Sequence, residues 1–266
     1  MTSRCGARCG MVRVVGLHRS GTSLLQFLVG ALPGYVALGE IRSLIESTSA
    51  IGHATESTCS CGNTIARCPF WGDIVRNLTG DGDYQPVLNR FVEMYPGRTI
   101  VDSSKGLEIP EGVSKAKVLL CIRDVRGWAV SHRRPTVRGF ISWYTENRAL
   151  IRKLADSEYL RVSYDELALR TEPALRRITD FLGVAPTPSP RIDFRNSEHH
   201  AVHVNKMKND PAKMAGIRYD HRWLRDTRWS IAAAALPFVM KFNREQVYGT
   251  VPNEFVETDT CSSRLV

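Results

Sequence analysis

No apolar run in these 266 residues is long enough to cross a bilayer. The longest, IAAAALPFVM at 231–240, falls well short of the ~20 residues a spanning helix needs and is broken by Pro237. The opening stretch, MTSRCGARCG, has no apolar core of the signal-peptide kind, so a soluble, cytoplasmic chain with no membrane partner is expected. Cysteine is present in an odd number, seven, which excludes a complete intramolecular disulfide framework and leaves reduced thiols as the default. Cys261 lies too far from the terminus for a prenylation box. No internal repeat and no low-complexity linker divides the chain. The expectation is one domain over residues 1–250, carrying a Cys-containing insert at about 57–71, with a loose polar tail at 251–266. Pro186, Pro188 and Pro190 mark a rigid loop rather than a boundary.

What is present is an excess of positive charge: 36 Lys and Arg against 27 Asp and Glu, a formal net charge of +9. That excess favours an anionic partner and does not choose among nucleic acid, a membrane surface and a phosphorylated small molecule. The pattern of elements is more selective. MVRVVG (11–16), RTIVDSS (98–104), KVLLCIRD (117–124) and EYLRVSYDEL (158–167) read as short β-rich runs ending in polar turns. TSLLQFLVGAL (22–32), RGWAVSHRR (126–134), VRGFISWYTENRALIRKLA (137–155) and EPALRRITDFLGV (172–184) carry helical spacing. Alternation of this kind predicts an α/β fold, a parallel sheet flanked by helices on both faces.

GLHRSGTSLL (16–25) sits between the first strand and the first helix. It keeps the G-x-x-x-x-G spacing of a phosphate-binding loop and a hydroxyl at Ser23, but Thr22 stands where a nucleotide triphosphatase has lysine. A strand feeding a Gly-containing turn and a helix surrounds an anion with backbone N–H groups. Ser20, Gly21, Thr22 and Ser23 add donors, and Arg19 adds a forked cation. Downstream, CIRDVRGWAVSHRR (121–134) sets Arg123 at a strand end and Ser131 about two helical turns later, a pair able to grip one phosphate from two sides.

Together these segments resemble the PAPS-dependent sulfotransferases, the bacterial type with similarity to the tyrosylprotein branch. GLHRSGTSLL resembles that family's 5′-phosphosulfate loop, and RDVRGWAVS its 3′-phosphate signature. LRVSYDELALRTEPALRRITDFLGV, HHAVHVNKMKND and DHRWLRD resemble its later segments, in the family's order, over roughly residues 12 to 226. The resemblance implies a P-loop-like sulfotransferase fold. It also implies transfer of a sulfuryl group from 3′-phosphoadenosine 5′-phosphosulfate (PAPS) to a hydroxyl, with release of the bisphosphate PAP. The transferred group carries less charge than a terminal phosphoryl group, so no Mg²⁺ clamp is required, and Arg19 with backbone donors stands in for the missing lysine.

Carried over residue by residue, GEIR (39–42) resembles the tyrosylprotein branch's G-E-E-T-R. Glu40 is then the catalytic base, with Arg42 oriented toward acceptor or sulfate. DSSK (102–105) resembles bacterial members and makes Lys105 a stabiliser of the bridging oxygen. Tyr164 matches a family tyrosine near the adenosine bisphosphate, although the acidic pair after it, Asp165-Glu166, is reversed in order. Lys206 and Lys208 are expected over the 3′-phosphate, in a loop that departs from the family's Gly-Asn at Val204-Asn205. The K-T-H motif that supplies a histidine base in many cytosolic members is missing. His18, His53, His132 and the 199–203 cluster remain as rival bases. The expected acceptor is a small-molecule or carbohydrate hydroxyl, with no nucleic acid bound.

Two other classes compete. A P-loop kinase or nucleotide hydrolase needs a Walker lysine and a Mg²⁺-holding aspartate, for which Asp102 and Asp124 are candidates. A non-enzymatic anion or nucleic-acid binding module needs arginines interleaved with aromatics on one face, whereas the arginines here cluster at strand ends and loops. Cys59, Cys61 and Cys68 lie in STCSCGNTIARCPFW (57–71), where C-x-C-x₆-C lacks the paired C-x-x-C knuckles of a zinc site. A structural insert without metal is expected, His53 being the fourth ligand if there is one, with Phe70 and Trp71 as packing residues.

Overall fold

A computed structural model describes residues 9–46, 57–78, 80–185, 198–204, 210 and 214–249. Five strands pair side by side, β1 (Cys9–Val15), β2 (Tyr35–Gly39), β3 (Thr99–Asp102), β4 (Val113–Ile122) and β5 (Tyr159–Ser163). Their order is β2-β3-β1-β4-β5, and every pairing is parallel. The chain leaves β1 to one side and β4 to the other, so the switch point, where open α/β sheets bind ligands, falls at the C-terminal end of β1.

The helices are α1 (Thr22–Gly30), α2 (Ile41–Ile45), α3 (Trp71–Arg76), α4 (Gln85–Met94), α5 (Val125–Ser131) and α6 (Val137–Lys153), followed by α7 (Tyr164–Leu169), α8 (Thr171–Leu182), α9 (Arg222–Arg225), α10 (Trp229–Ala235) and α11 (Pro237–Asn243). Strand periodicity explains how they divide. Val12, Val14, Val101, Leu119 and Cys121 face one side and pack on Leu25, Phe27 and Leu28 of α1 and Ile178 of α8. Met11, Val36, Leu38 and Ile100 face the other and pack on α2, α3 and α4 through Leu44, Trp71 and Phe91. Beyond β4, Ile122 joins Trp128, Phe140, Trp143 and Val239 in a further core. Both faces of the sheet are thus covered, as the alternation of elements predicts.

The apolar run at 231–240 is divided between α10 and α11 at Leu236, and among the described residues no helix is long and apolar enough to cross a membrane. Phe70 and Trp71 are fully buried and meet edge to face at 4.8 Å, the packing role expected of them.

Candidate functional site

The loop 16–21 leaves the end of β1 and turns into α1 under tight steric constraint. A side chain at Gly16 would put its Cβ 2.4 Å from the Cys121 carbonyl oxygen. Gly21 has φ 101°, and a Cβ there would come within 2.7 Å of the Tyr164 ring. Arg19, with φ 69°, also holds a left-handed conformation that non-glycine residues seldom adopt, and its side chain is exposed. The Ser20 hydroxyl is fully buried and has no hydrogen-bond partner. A buried orphan of this kind, at the start of a nine-residue helix, fits an anion held by the loop.

A lysine reaches Thr22 from beyond a different strand. Lys105 follows β3, and its Nζ donates to Thr22 Oγ1 at 3.2 Å and stands 3.3 Å from Glu40 Oε1. Glu40 follows β2 and opens α2. Its carboxylate is about one-sixth exposed (16%) and also accepts a long bond from Ser43 Oγ at 3.4 Å. Two backbone ties fix the cluster: Ser103 N–H donates to the Gly39 carbonyl at 2.8 Å, and Arg42 N–H donates to Ser104 Oγ at 2.9 Å. Three of the expected residues, Thr22, Glu40 and Lys105, therefore meet at the ends of three strands. Arg42 does not join them. Its guanidinium pairs with Glu46 and, at 2.5 Å, with Glu108, and these carboxylates raise its pKa further.

On the other side of β1, Arg123 directly follows β4 and is buried. It donates to the Arg19 carbonyl at 3.3 Å and to Asp220 Oδ2 at 2.9 Å, and lies 4.5 Å from the centre of the Tyr164 ring. Asp220 also binds Arg222, whose Nη2 reaches Ser131 Oγ at 3.5 Å. Burial works against the charge of Asp220, but Arg222 and Arg123 outweigh it and hold the carboxyl below its usual range. Tyr164 lies under the loop: its hydroxyl donates to the Arg218 carbonyl at 3.1 Å and accepts from Asp220 N–H at 2.9 Å. Arg123, Ser131 and Tyr164 are thus brought to one place, joined by Asp220 and Arg222, which sequence reasoning missed as site residues. Their signal was the DHRWLRD segment itself.

The acidic pair after Tyr164 is structural. Asp165 accepts the Asp124 N–H at 2.9 Å and the Tyr219 hydroxyl at 3.0 Å, while Glu166 grips Arg177 with two bonds of 2.7 Å. The cap of α7 is Ser163, which accepts from the N–H groups of Asp165 and Glu166. The two aspartates open to a Mg²⁺ role are likewise engaged elsewhere. Asp102 pairs with buried Arg13 and accepts from the Tyr84 hydroxyl at 3.0 Å and Ser104 N–H at 2.7 Å. Asp124 caps α5 and binds Arg126, Asn243 and Tyr248.

Among the rival histidines, His132 packs against Trp128 at 4.8 Å, and His18 offers its carbonyl to the Trp128 indole. His199 is buried against Phe27, and burial, with His200 beside it, pulls its pKa down to about 4. Among the described residues, Cys59, Cys61 and Cys68 converge with His200. His53, Asn205, Lys206, Lys208 and the stretches 186–197 and 250–266 lie outside the described residues.

No family model matches this sequence. It is 24% identical over 192 residues to protein-tyrosine sulfotransferase A of Caenorhabditis elegans, a match covering 64% of this chain and 48% of that protein. The chain thus spans about half the length of that curated relative. Among solved structures it is similar to the sulfotransferase domain from the curacin biosynthetic pathway, with 15% identity, a TM-score of 0.49, and coverage of 86% of this chain and 98% of that one. It is also similar to retinol dehydratase in complex with retinol and PAP, with 16% identity, a TM-score of 0.43, and coverage of 91% and 83%. The resemblance to sulfotransferases carried by the motifs is found again in the curated relative.

Proposed function

We propose that this chain is a PAPS-dependent O-sulfotransferase. The observation that carries the reading is the cluster in which Lys105 touches both Thr22 of the anion loop and Glu40. It sets a cation and a carboxylate at the mouth of a loop whose buried Ser20 hydroxyl lacks a partner. In the reaction the acceptor oxygen forms a bond to sulfur as the bond from sulfur to the phosphate oxygen breaks, leaving the electron pair on PAP. Glu40 takes the proton of the acceptor hydroxyl. Lys105 and Arg19, with the backbone N–H groups of the loop, stabilise charge on the departing oxygen. Arg123 and Ser131 grip the 3′-phosphate, and Tyr164 supports the loop beneath. Positioning and electrostatics supply the rate enhancement, by analogy with phosphoryl transfer.

The acceptor we propose is the hydroxyl of a small metabolite or carbohydrate. A cavity of about 320 Å³ is lined by Arg42, Asp83, Tyr84, Gln85 and Glu108 among others, and Arg42 stands two residues beyond Glu40 in sequence. Carboxylate and amide oxygens in that wall suit a polyhydroxylated molecule. The curated relative's name specifies tyrosine, so a tyrosine peptide is the comparison substrate.

Thermal shifts with PAP, AMP and Mg·ATP test the donor site without any acceptor. A ligand at about one hundred times its Kd adds roughly 2.7 kcal/mol, a readily visible shift. Stabilisation by PAP well beyond AMP is expected. Stabilisation by Mg·ATP in its place returns the loop to a nucleotide-triphosphate site and overturns the reading.

A further inference from the structure

The cysteine segment takes no part in the proposed chemistry, yet it is built with care. Thr58 and Thr64 bridge its two ends, and Cys59 N–H donates to the Asn63 carbonyl at 2.8 Å, closing a tight turn around Cys61. A 3₁₀ turn at Ile65–Arg67 then delivers Cys68 to the same point. The Cys68 sulfur lies 3.6 Å from that of Cys59 and 3.7 Å from that of Cys61. His200 Nδ1 lies 3.2 Å from Cys68 Sγ, and all four ligand atoms fall within 4.8 Å of one another.

The two S···S spacings match a tetrahedral metal centre, and the 3.2 Å S···N spacing lies within about 0.4 Å of one. Zinc bonds of about 2.3 Å to sulfur and 2.0–2.1 Å to nitrogen put tetrahedral ligands about 3.8 Å apart for S···S and 3.6 Å for S···N. A disulfide would use two of the three thiols and leave the third and the imidazole without a purpose. Cys59, Cys68 and His200 are buried, and Cys61 lies at the rim, which gives a closed site with an entry path.

We propose that Cys59, Cys61, Cys68 and His200 bind one Zn²⁺ as a structural site. Three thiol protons are released to solvent on binding, and the neutral imidazole of His200 fills the fourth coordination position. Around the ligands, Phe70 stacks on His200 at 5.7 Å, and the Trp71 indole donates to the His200 carbonyl at 2.5 Å, fixing the histidine backbone and ring.

The site joins two parts of the chain that are distant in sequence. Ser60 N–H donates to the Ala201 carbonyl at 3.1 Å, and Ala201 N–H donates to Ser60 Oγ at 2.8 Å. The same short segment continues to Val202, whose carbonyl accepts the Glu40 N–H at 3.0 Å. Zinc thereby staples the insert to the segment that holds the backbone of Glu40. The proposal does not depend on the reaction assigned to Glu40.

The test is metal analysis of the full chain purified under reducing conditions without chelator, where one zinc per chain is expected. Cobalt substitution of chelator-stripped protein should give the intense absorption of thiolate-bound Co²⁺. Cys61→Ser, at the exposed ligand, is expected to weaken zinc retention at least tenfold against a competing chelator while the chain stays folded. His200→Gln is expected to do the same, and Cys61→Ser carries the test if His200→Gln does not fold. Folded, zinc-free protein with three alkylatable thiols overturns the proposal. So does zinc-free protein with a Cys59–Cys68 disulfide, or zinc content that neither substitution changes.

Discussion

Lys105 and Glu40 form an ion pair of 3.3 Å in which the lysine also holds Thr22 of the anion loop. One ammonium thus links the carboxylate proposed as the base to the loop proposed as the donor site. Residues sharing a partner in this way do not contribute independently.

Glu40→Gln is expected to lose at least about a hundredfold in kcat while PAP affinity stays within a factor of about three. Lys105→Ala is expected to lose a similar factor. The double variant should lose clearly less than the product of the two. Single-turnover rates with PAPS, beside PAP titrations, check all three. Full turnover in Glu40→Gln transfers the base role to a histidine.

Arg123 contacts Asp220, the Arg19 carbonyl and the Tyr164 ring. If it grips the 3′-phosphate, Arg123→Ala removes a charge-assisted bond worth about 1.5–3 kcal/mol, a ten- to hundredfold loss in affinity. The loss should appear with PAP and be far smaller with AMP, which lacks that phosphate. Calorimetric titration of both nucleotides decides it, and equal weakening of the two eliminates the clamp.

The anion loop and Arg123 were legible because local sequence rules govern a strand-turn-helix junction. The helix at 137–155 was legible for the same reason, its apolar periodicity being strong, and it is observed as Val137–Lys153. Strand β2 was missed. Five residues, YVALG, are too few to show a period. The start of β4, VSKA, was hidden because three of its four residues are exposed. His200 was considered as a rival base and not as a partner of Cys68, because 132 residues separate them. They meet only because the segment after residue 198 pairs with Gly39 and Ala37 of β2, and no local pattern announces that pairing.

Asp124 offers a stability test that is independent of activity. It is fully buried, caps α5, and binds Arg126, Asn243 and Tyr248, the last two from the end of the described chain. Burial raises its pKa, but Arg126 and then Asn243 and Tyr248 outweigh burial and leave it lowered. A carboxyl lowered on folding gives stability that is present above its unfolded pKa of about 3.9 and is lost as pH falls through the folded value. Asp124→Asn is therefore expected to lower stability by about 3 kcal/mol at neutral pH. The gap to the parent protein should narrow on acidification below about pH 4. Denaturant melts at several pH values measure the gap, and a gap that does not vary with pH refutes the assignment.

Gly21 and Gly34 separate backbone strain from the demands of the site. Both have positive φ, 101° and 84°, so alanine at either incurs the same kind of left-handed penalty, roughly 1–2 kcal/mol. A Cβ at Gly34 meets nothing within 4 Å, whereas one at Gly21 meets the Tyr164 ring at 2.7 Å. Gly34→Ala should then lower Tm slightly and leave PAP binding intact. Gly21→Ala should lower Tm further and weaken PAP at least tenfold, because Tyr164 and the loop cannot both keep their places. The Tyr164 hydroxyl accepts the Asp220 N–H, and Asp220 holds Arg123, so displacing the ring also disturbs the second anion grip. Should the two variants match in both melting temperature and PAP affinity, the loop at 16–21 is not where the nucleotide binds, and the assignment of the donor site goes with it.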